Sequence, residues 1–260
     1  MFAPHISGAN ESYDPKWYAE LASLEAKNFW FVERNRLIRL LATKFSGPQG
    51  SYLEVGCGTG FVLQMIRKTF PSWNIYATEA QPEGIEFVKK RVPENVTFYQ
   101  IDACALPFRS EFDVIGAFDV VEHIDNDVMA LSQIYAALKP GGIFMLSVPQ
   151  HMFLWSKFDE LGHHFRRYAW SDLEQKLQSA GFSILVSTSF NTLLLPLMLL
   201  SRQMKRGDRT IDVDLLGELR LSPGINFLLS AILRIEYGLI RIGLRLPFGG
   251  SRIVVARKAE

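Results

Sequence analysis

The chain has 260 residues, of which 48% are hydrophobic and 21% charged. That suits one α/β domain with additions and excludes a disordered chain. The net charge of +1 gives no global case for a nucleic-acid partner, and Cys57 and Cys104, the two cysteines, show neither metal-ligand nor redox-pair spacing.

The charge is uneven. Residues 191–260 carry +5 and residues 1–190 carry −4. A basic, apolar tail on an acidic body points to a surface with its own role. No basic-then-apolar signal pattern opens the chain, so a reducing cytoplasm is the expected compartment.

In chain order, residues 1–12 read as a mobile leader. From Tyr13 to Phe45 the pattern is helical, anchored by Tyr18, Leu21, Leu24, Leu37, Leu40 and Leu41. Strands are then expected near 51–55, 73–78, 96–101, 112–117 and 143–148, and helices near 60–69, 82–91 and 127–138. Such alternation predicts a parallel sheet covered on both faces. Pro140-Gly141-Gly142 is expected to end a helix and turn into the fifth strand. Ser171-Asp172-Leu173-Glu174 is a capping-box pattern, so a helix should start there and run to Ala180, with Gly181 as its stop. Ile184–Phe190 and Arg252–Ala256 read as two last strands. Between them lies an insertion, 191–250, with apolar runs at 193–200 and 224–246 around a polar stretch, 201–222. Neither run reads as a transmembrane helix: the first is short and contains Pro196, the second carries Arg234, Glu236, Arg241 and Arg245. As a helix the second is amphipathic, with Arg234, Arg241 and Arg245 expected opposite Leu228, Leu229, Ile232, Ile235, Leu239 and Ile242.

The richest stretch is Leu53-Glu54-Val55-Gly56-Cys57-Gly58-Thr59-Gly60. It reads as a strand end, a carboxylate, a glycine turn and a helix start, a place where backbone amides can hold an anionic or polar group. No lysine follows the glycines, which excludes a P-loop, and Phe61 stands where a dinucleotide turn wants glycine. Glu79 follows the second strand and can accept from both hydroxyls of a ribose. Asp102 follows the third and can accept from an adenine amino group, with the Ala103 amide donating to the ring. All three carboxylates fall at carboxyl ends of strands, where open α/β sheets bind ligands.

On LEVGCGTG at 53–60, Glu79, Asp102-Ala103, Phe118-Asp119-Val120-Val121-Glu122-His123-Ile124 and Leu138-Lys139-Pro140-Gly141-Gly142, the chain resembles class I S-adenosylmethionine-dependent methyltransferases, in particular the group of ubiquinone-biosynthesis and sugar methyltransferases. The resemblance covers roughly 29–190. It implies a Rossmann-like, doubly wound, seven-stranded, mostly parallel sheet with S-adenosyl-L-methionine as cofactor. Glu54, Gly56, Cys57, Gly58 and Gly60 would hold the methionine part, Glu79 the ribose, and Asp102 and Ala103 the adenine, with Phe118 lining the sulfonium side. The resulting division is a helical cover (1–50), a cofactor-binding core (51–190), an amphipathic helical insertion (191–250) and a final core strand (251–260).

Methyl transfer from a sulfonium chiefly needs an aligned acceptor and excluded water. The expected acceptor is a small-molecule or lipid-linked hydroxyl, which would profit from a base. His123 is the candidate base, with orientation of its loop as the alternative role, and His164 is a second candidate. Trp30, Arg34 and Tyr168 are candidate substrate contacts. Glu122, His123 and His163 or His164 form a set able to ligate a metal, yet the expectation is no metal and no nucleic acid. The insertion suits an anionic membrane surface through 193–246, on the inner face of the membrane; packing on the sheet or a homodimer interface is the alternative. The rival functions are an NAD-dependent oxidoreductase, which lacks a Tyr-x-x-x-Lys pair here, and a binding protein without catalysis.

Overall fold

The computed structural model describes residues 15–92, 94–205 and 220–260; the expected leader and positions 206–219 of the polar stretch lie outside the described residues. Seven strands form one sheet: β1 (Ser51–Val55), β2 (Asn74–Glu79), β3 (Val96–Gln100), β4 (Phe112–Phe118), β5 (Leu138–Pro149), β6 (Phe182–Phe190) and β7 (Ser251–Lys258). The order is β3-β2-β1-β4-β5-β7-β6, with β7 antiparallel to both neighbours and β1 to β5 parallel. Chain order reverses between β1 and β4, which opens a crevice beyond their carboxyl ends.

The period of two within each strand divides the core. Tyr52 and Val114 join a cluster on one face of the sheet with Leu63, Ile66 and Ile75. Leu53, Val55, Ile115 and Phe144 join a second cluster on the other face with Leu131 and Ile134. The crossover helices are α3 (Phe61–Thr69), α4 (Pro82–Arg91) and α5 (Asp127–Ala137). Pro82 opens α4 and Lys89, Lys90 and Arg91 close it, which matches the helix dipole at both ends. Asn126 caps α5 by accepting from the Met129 amide at 3.1 Å.

Two local expectations are corrected. Pro140-Gly141-Gly142 does not precede the fifth strand but lies inside it. The pairing of β5 with β4 jumps from Phe112–Leu138 to Val114–Ile143, so the three residues form a bulge, with Gly141 at φ +73°. The capping box at Ser171 does not form either. Helix α7 (Trp170–Ser179) has its N-cap two residues earlier, at Ala169, without a side-chain cap. Tyr168 exchanges backbone hydrogen bonds with Pro149 and His151 (2.9 and 3.0 Å), which holds the chain extended up to Ala169. The capping box that does form joins Ser156 to Asp159 at the start of the short helix α6 (Lys157–Leu161). Gly181, at φ +99°, follows the end of α7 as expected.

The N-terminal cover is α1 (Pro15–Glu25) and α2 (Phe29–Phe45), and the insertion forms α8 (Leu195–Lys205) and α9 (Pro223–Arg241). Helix α9 lies along α2. Glu33 of α2, fully buried, accepts from Ser230 Oγ at 2.6 Å and pairs with Arg234 at 3.0 Å, and the Asn226 carboxamide takes the Phe29 amide at 2.8 Å. The single apolar face expected of this helix is split. Leu229 and Ile232 pack on the core beside buried Leu233, while Leu228, Ile235 and Ile242 point outward, 60%, 58% and 81% exposed. At 19 residues α9 is long and apolar enough to cross a membrane, but one side of it is committed to α2.

Leu233 is fully buried at that contact. Leu233→Ala is expected to lower the unfolding free energy by roughly 2–5 kcal/mol in urea titrations; a loss well under 1 kcal/mol would show that α9 is not docked as described.

Candidate active site

The crevice between β1 and β4 opens into a cavity of about 1200 Å³. That exceeds the roughly 300–1,000 Å³ typical of a single ligand site, so two molecules fit side by side. Its floor is the glycine turn. Gly56, Gly58 and Gly60 have φ of +65°, +52° and +78°. A Cβ on Gly56 would also lie 2.7 Å from Val120, so this position needs glycine for space as well as for conformation.

Glu54 shares a face of β1 with Tyr52, whose hydroxyl donates to Glu54 Oε2 at 2.9 Å. Gly116 on β4 makes room for that hydroxyl, since a Cβ there would meet it at 2.5 Å. Burial raises the Glu54 carboxyl to about 8, against the opposing pull of Tyr52, Arg34 and the Leu63 amide. Glu79, at the end of β2, is held by three backbone amides: Gly58 at 2.8 Å on one oxygen, Ala80 and Gln81 at 2.9 and 3.2 Å on the other. It therefore braces the glycine turn while lining the cavity. Asp102 gives one oxygen to the Cys104 amide at 2.8 Å and lines the cavity with Ala103, Cys57 and Phe118. The structure thus brings the expected cofactor residues to the cavity except Gly60, which shapes the turn without lining the space.

Helix α1 closes that wall. Glu25, not singled out from sequence, accepts from Thr59 of the glycine turn at 2.6 Å and pairs with Arg91 at 2.6 Å. Its signal was faint, a lone carboxylate at a helix end.

The opposite wall follows β4 and β5. Asp119 has φ +55° and is held by Ser147 Oγ at 3.1 Å and by Arg34. Asp119, His163 and Asn191 all line the cavity with positive φ, and such strain collects at functional sites. Arg34 lines the cavity but spends a guanidinium nitrogen on Asp119 and stacks on Trp30 at 4.6 Å; it is a strut more than a free anion contact. Trp30 lines the cavity as expected.

His123 and His164 meet on this wall, ring centroids 4.5 Å apart and nearly perpendicular. Burial, then the neighbouring His164, lowers His123 to about 3, so its imidazole is neutral and a weak proton acceptor. His164 Nδ1 lies 2.9 Å from Asp159 Oδ1, which also takes Arg167 Nε at 2.7 Å. Burial alone would raise Asp159, but its bonds with His164 and Arg167 hold it at about 2.

Tyr168 is not a substrate contact. It is 1% exposed, and its hydroxyl donates to Asp127 at 2.7 Å in the core beneath α5. Arg166 is likewise spent on Asp127 at 2.8 Å. Asp119, Asp159 and Arg167 were given no individual role because theirs come from pairing across loops. Also missed were Leu194, Leu197, Met198, Ser201 and Arg202, with which the insertion extends the cavity.

A family model described as "Methyltransferase domain" matches residues 26–187. The chain belongs to this methyltransferase family. Its cofactor is S-adenosylmethionine, which removes the NAD alternative. Among similar proteins, malonyl-[acyl-carrier protein] O-methyltransferase of Priestia megaterium is 31% identical over 114 residues, 44% of this chain and 42% of that one. A Mycolicibacterium smegmatis protein named an S-adenosylmethionine-dependent methyltransferase is 26% identical over 167 residues, 63% of each chain. The match thus spans less than two thirds of either relative. Phosphoethanolamine N-methyltransferase 2 of Haemonchus contortus, solved with S-adenosyl-L-methionine, shares the fold at TM-score 0.58 and 18% identity, covering 87% of this chain and 53% of that one. The [4+2]-cyclase SpnF shares it at TM-score 0.57 and 22% identity, covering 86% and 80%.

The residues present fit the cofactor. The turn is a cradle that a Cβ on Gly56 would fill, and Glu54, Glu79 and Asp102 line one wall in the order of their strands. Gly56→Ala is expected to weaken S-adenosylmethionine binding at least tenfold. The positive φ alone costs roughly 1–2 kcal/mol and the Val120 clash adds to it. Adding Val120→Ala should recover part of the loss; unchanged affinity in Gly56→Ala, read by calorimetry, would remove the cradle from the site.

Proposed function

We propose that this chain transfers the methyl group of S-adenosylmethionine to an oxygen of an amphiphilic or lipid-linked acceptor that enters from the insertion side. One observation carries the reading: a single cavity runs from the glycine turn to Leu194, Leu197, Met198 and Leu229 of the insertion. Outside that apolar end, Leu193 just before α8, Leu200 of α8, Phe227, Leu228 and Ile235 of α9 and Ile242 at its end are exposed. Arg234, Arg241 and Arg245 add positive charge beside them. Exposed apolar groups flanked by basic ones suit the surface of an anionic membrane, and an acceptor anchored there would reach the cavity without crossing water. The cytoplasmic face is the side where such lipids collect.

The cofactor supplies an already activated methyl group. The protein's own part is alignment and exclusion of water. The glycine turn and Glu79 fix the cofactor wall, Glu54 would face the methionine ammonium, and Trp30, Phe31 and α8 cover the cavity. An oxygen acceptor accords with the activity for which the malonyl-[acyl-carrier protein] O-methyltransferases are named. Appearance of a methylated product in a lipid extract, dependent on S-adenosylmethionine, would establish catalysis; cofactor binding with no product from lipid or soluble extracts would favour a binding protein.

The membrane side is tested by flotation. The full chain should float with anionic vesicles and not with neutral ones, and Leu228→Glu, Ile235→Glu and Ile242→Glu together should reduce flotation at least tenfold while leaving cofactor affinity intact. Equal flotation of the triple variant would refute this surface, and a dimer lost in that variant without vesicle binding would assign it to self-association.

Glu54 supplies a second test. Its carboxyl sits at about 8 in the free protein and is mostly protonated at pH 7. A cation beside it draws the group back toward the ordinary carboxylate range, so binding should expel about one proton at pH 7. Affinity should therefore rise with pH up to about 8 and fall above it, as the ammonium itself loses its proton. Calorimetry in buffers of different ionisation enthalpy reads the proton; the same absence of release in wild type and Glu54→Gln would place the ammonium elsewhere.

A further inference from the structure

The acceptor wall gathers the carboxylate and two histidines that the sequence offers as possible metal ligands. Glu122 follows β4 in the turn Val121–His123 and is fully buried. Apart from its own amide, no donor among the described residues reaches either carboxylate oxygen. A buried carboxylate in that state is costly unless something positive completes it. Arg34 and Arg167 act on it only through space. What it does face are two imidazoles: one ligand atom each from Glu122, His123 and His164 lie within 4.8 Å of one another.

His164 is oriented as a metal-bound histidine is, with one ring nitrogen anchored and the other free. His164 gives Nδ1 to Asp159, which is itself fixed by Arg167 Nε and by the Ser156 amide at 2.8 Å. That leaves the lone pair on His164 Nε2. The Gly162 backbone acts on the His123 ring, which lies against His164 with centroids 4.5 Å apart. The Phe165 amide donates to the Glu122 carbonyl at 2.8 Å, tying the two ligand-bearing segments together. Bonds of about 2.0–2.2 Å in a tetrahedral set place donor atoms roughly 3.4 Å apart, so a set spread within 4.8 Å closes by up to about 1.4 Å when it takes the ion.

We infer that Glu122, His123 and His164 hold a divalent first-row metal ion on the acceptor wall, with its remaining positions open to the cavity for an oxygen of the acceptor. Two histidines and one carboxylate with open positions suit zinc, iron(II) or manganese(II) more than magnesium. The ion would act as a Lewis acid that holds and polarises the acceptor oxygen. This role rests on the proposed methyl transfer, whereas the site itself rests only on the three ligands and their anchors.

The test uses the full chain stripped of metal and titrated with Co²⁺ while visible absorption is followed, then dialysed against Zn²⁺, Mn²⁺ or Mg²⁺ with metal content measured. One Co²⁺ per chain is expected, with Zn²⁺ and Mn²⁺ retained over Mg²⁺. Glu122→Gln, His123→Ala and His164→Ala should each weaken Co²⁺ binding at least tenfold. Asp159→Asn should do so by about 10–100-fold and alter the absorption spectrum. Cofactor affinity is measured on the same samples as a check of folding. No stoichiometric Co²⁺ signal, or equal binding by wild type, Glu122→Gln and His164→Ala, overturns the site even if S-adenosylmethionine binds. A bound ion without methyl transfer to any acceptor overturns the proposed function and leaves the site standing.

Discussion

The structure depends on one constraint: acidic side chains are placed in dry positions at the carboxyl ends of the strands. Glu54, Glu79 and Glu122 follow or end β1, β2 and β4, and all are buried. Each meets the desolvation cost differently. Glu79 recruits three backbone amides and in doing so shapes the glycine turn. Glu54 keeps its proton to about 8 and leans on a tyrosine hydroxyl. Glu122 has neither solution, and burial followed by Asp119 pushes its carboxyl well above the ordinary range. A sheet stabilised for its own sake would place apolar residues at these points. A carboxylate set toward a cavity and left underpaired can be completed by a positive ligand, and the proposals for Glu54 and Glu122 treat the two walls as two cases of that one design.

A second line of contacts ties the insertion to that centre. Asp119, strained at φ +55°, is braced by Ser147 of β5 and gripped by Arg34 of α2. One residue earlier on the same helix, Glu33 anchors Ser230 and Arg234 of α9. Glu236 of α9 accepts from the Leu193 amide at 2.6 Å, which positions the start of α8. The contacts thus run from the strand ends through α2 to both insertion helices. Each link involves a buried or half-buried charge, where a hydrogen bond is worth more than at the surface and its loss costs more.

The sheet and the cofactor wall were legible in the sequence because their signals are local. Strand periodicity, a glycine turn and a carboxylate at each strand end are read within a few residues, and Glu54, Glu79 and Asp102 came to one wall as expected. The misreadings came from tertiary override. Ser171 carried a sound capping pattern, but pairing of Tyr168 with Pro149 and His151 fixed where the helix could begin. Tyr168 looked available because it neighbours His164, yet alternation along an extended segment turned it into the core, onto Asp127. On α9 the hydrophobicity was real, but composition alone could not assign Leu229 to the core and Leu228 to solvent. The adjacent helix α2 decides that, with Glu33 setting the rotation about the helix axis.

The fold leaves the acceptor undetermined, since a [4+2]-cyclase shares it at TM-score 0.57 and architecture of this kind does not fix chemistry. Discrimination must come from what differs around the common cradle. Here that is the segment between β6 and β7, two antiparallel neighbours that a short turn would suffice to join. Some sixty residues are spent there instead. They return to pack on the N-terminal cover and bring Leu194, Leu197 and Met198 to the cavity. The same helices expose apolar side chains on their outer side, so one element forms both the inner lining and the outer surface. A change in what covers α8 and α9 therefore bears on the shape of the acceptor end while leaving the glycine turn, braced separately by Glu79 and Glu25, in place. On the proposed reading, substrate choice and cofactor binding are in this way carried by different parts of the chain.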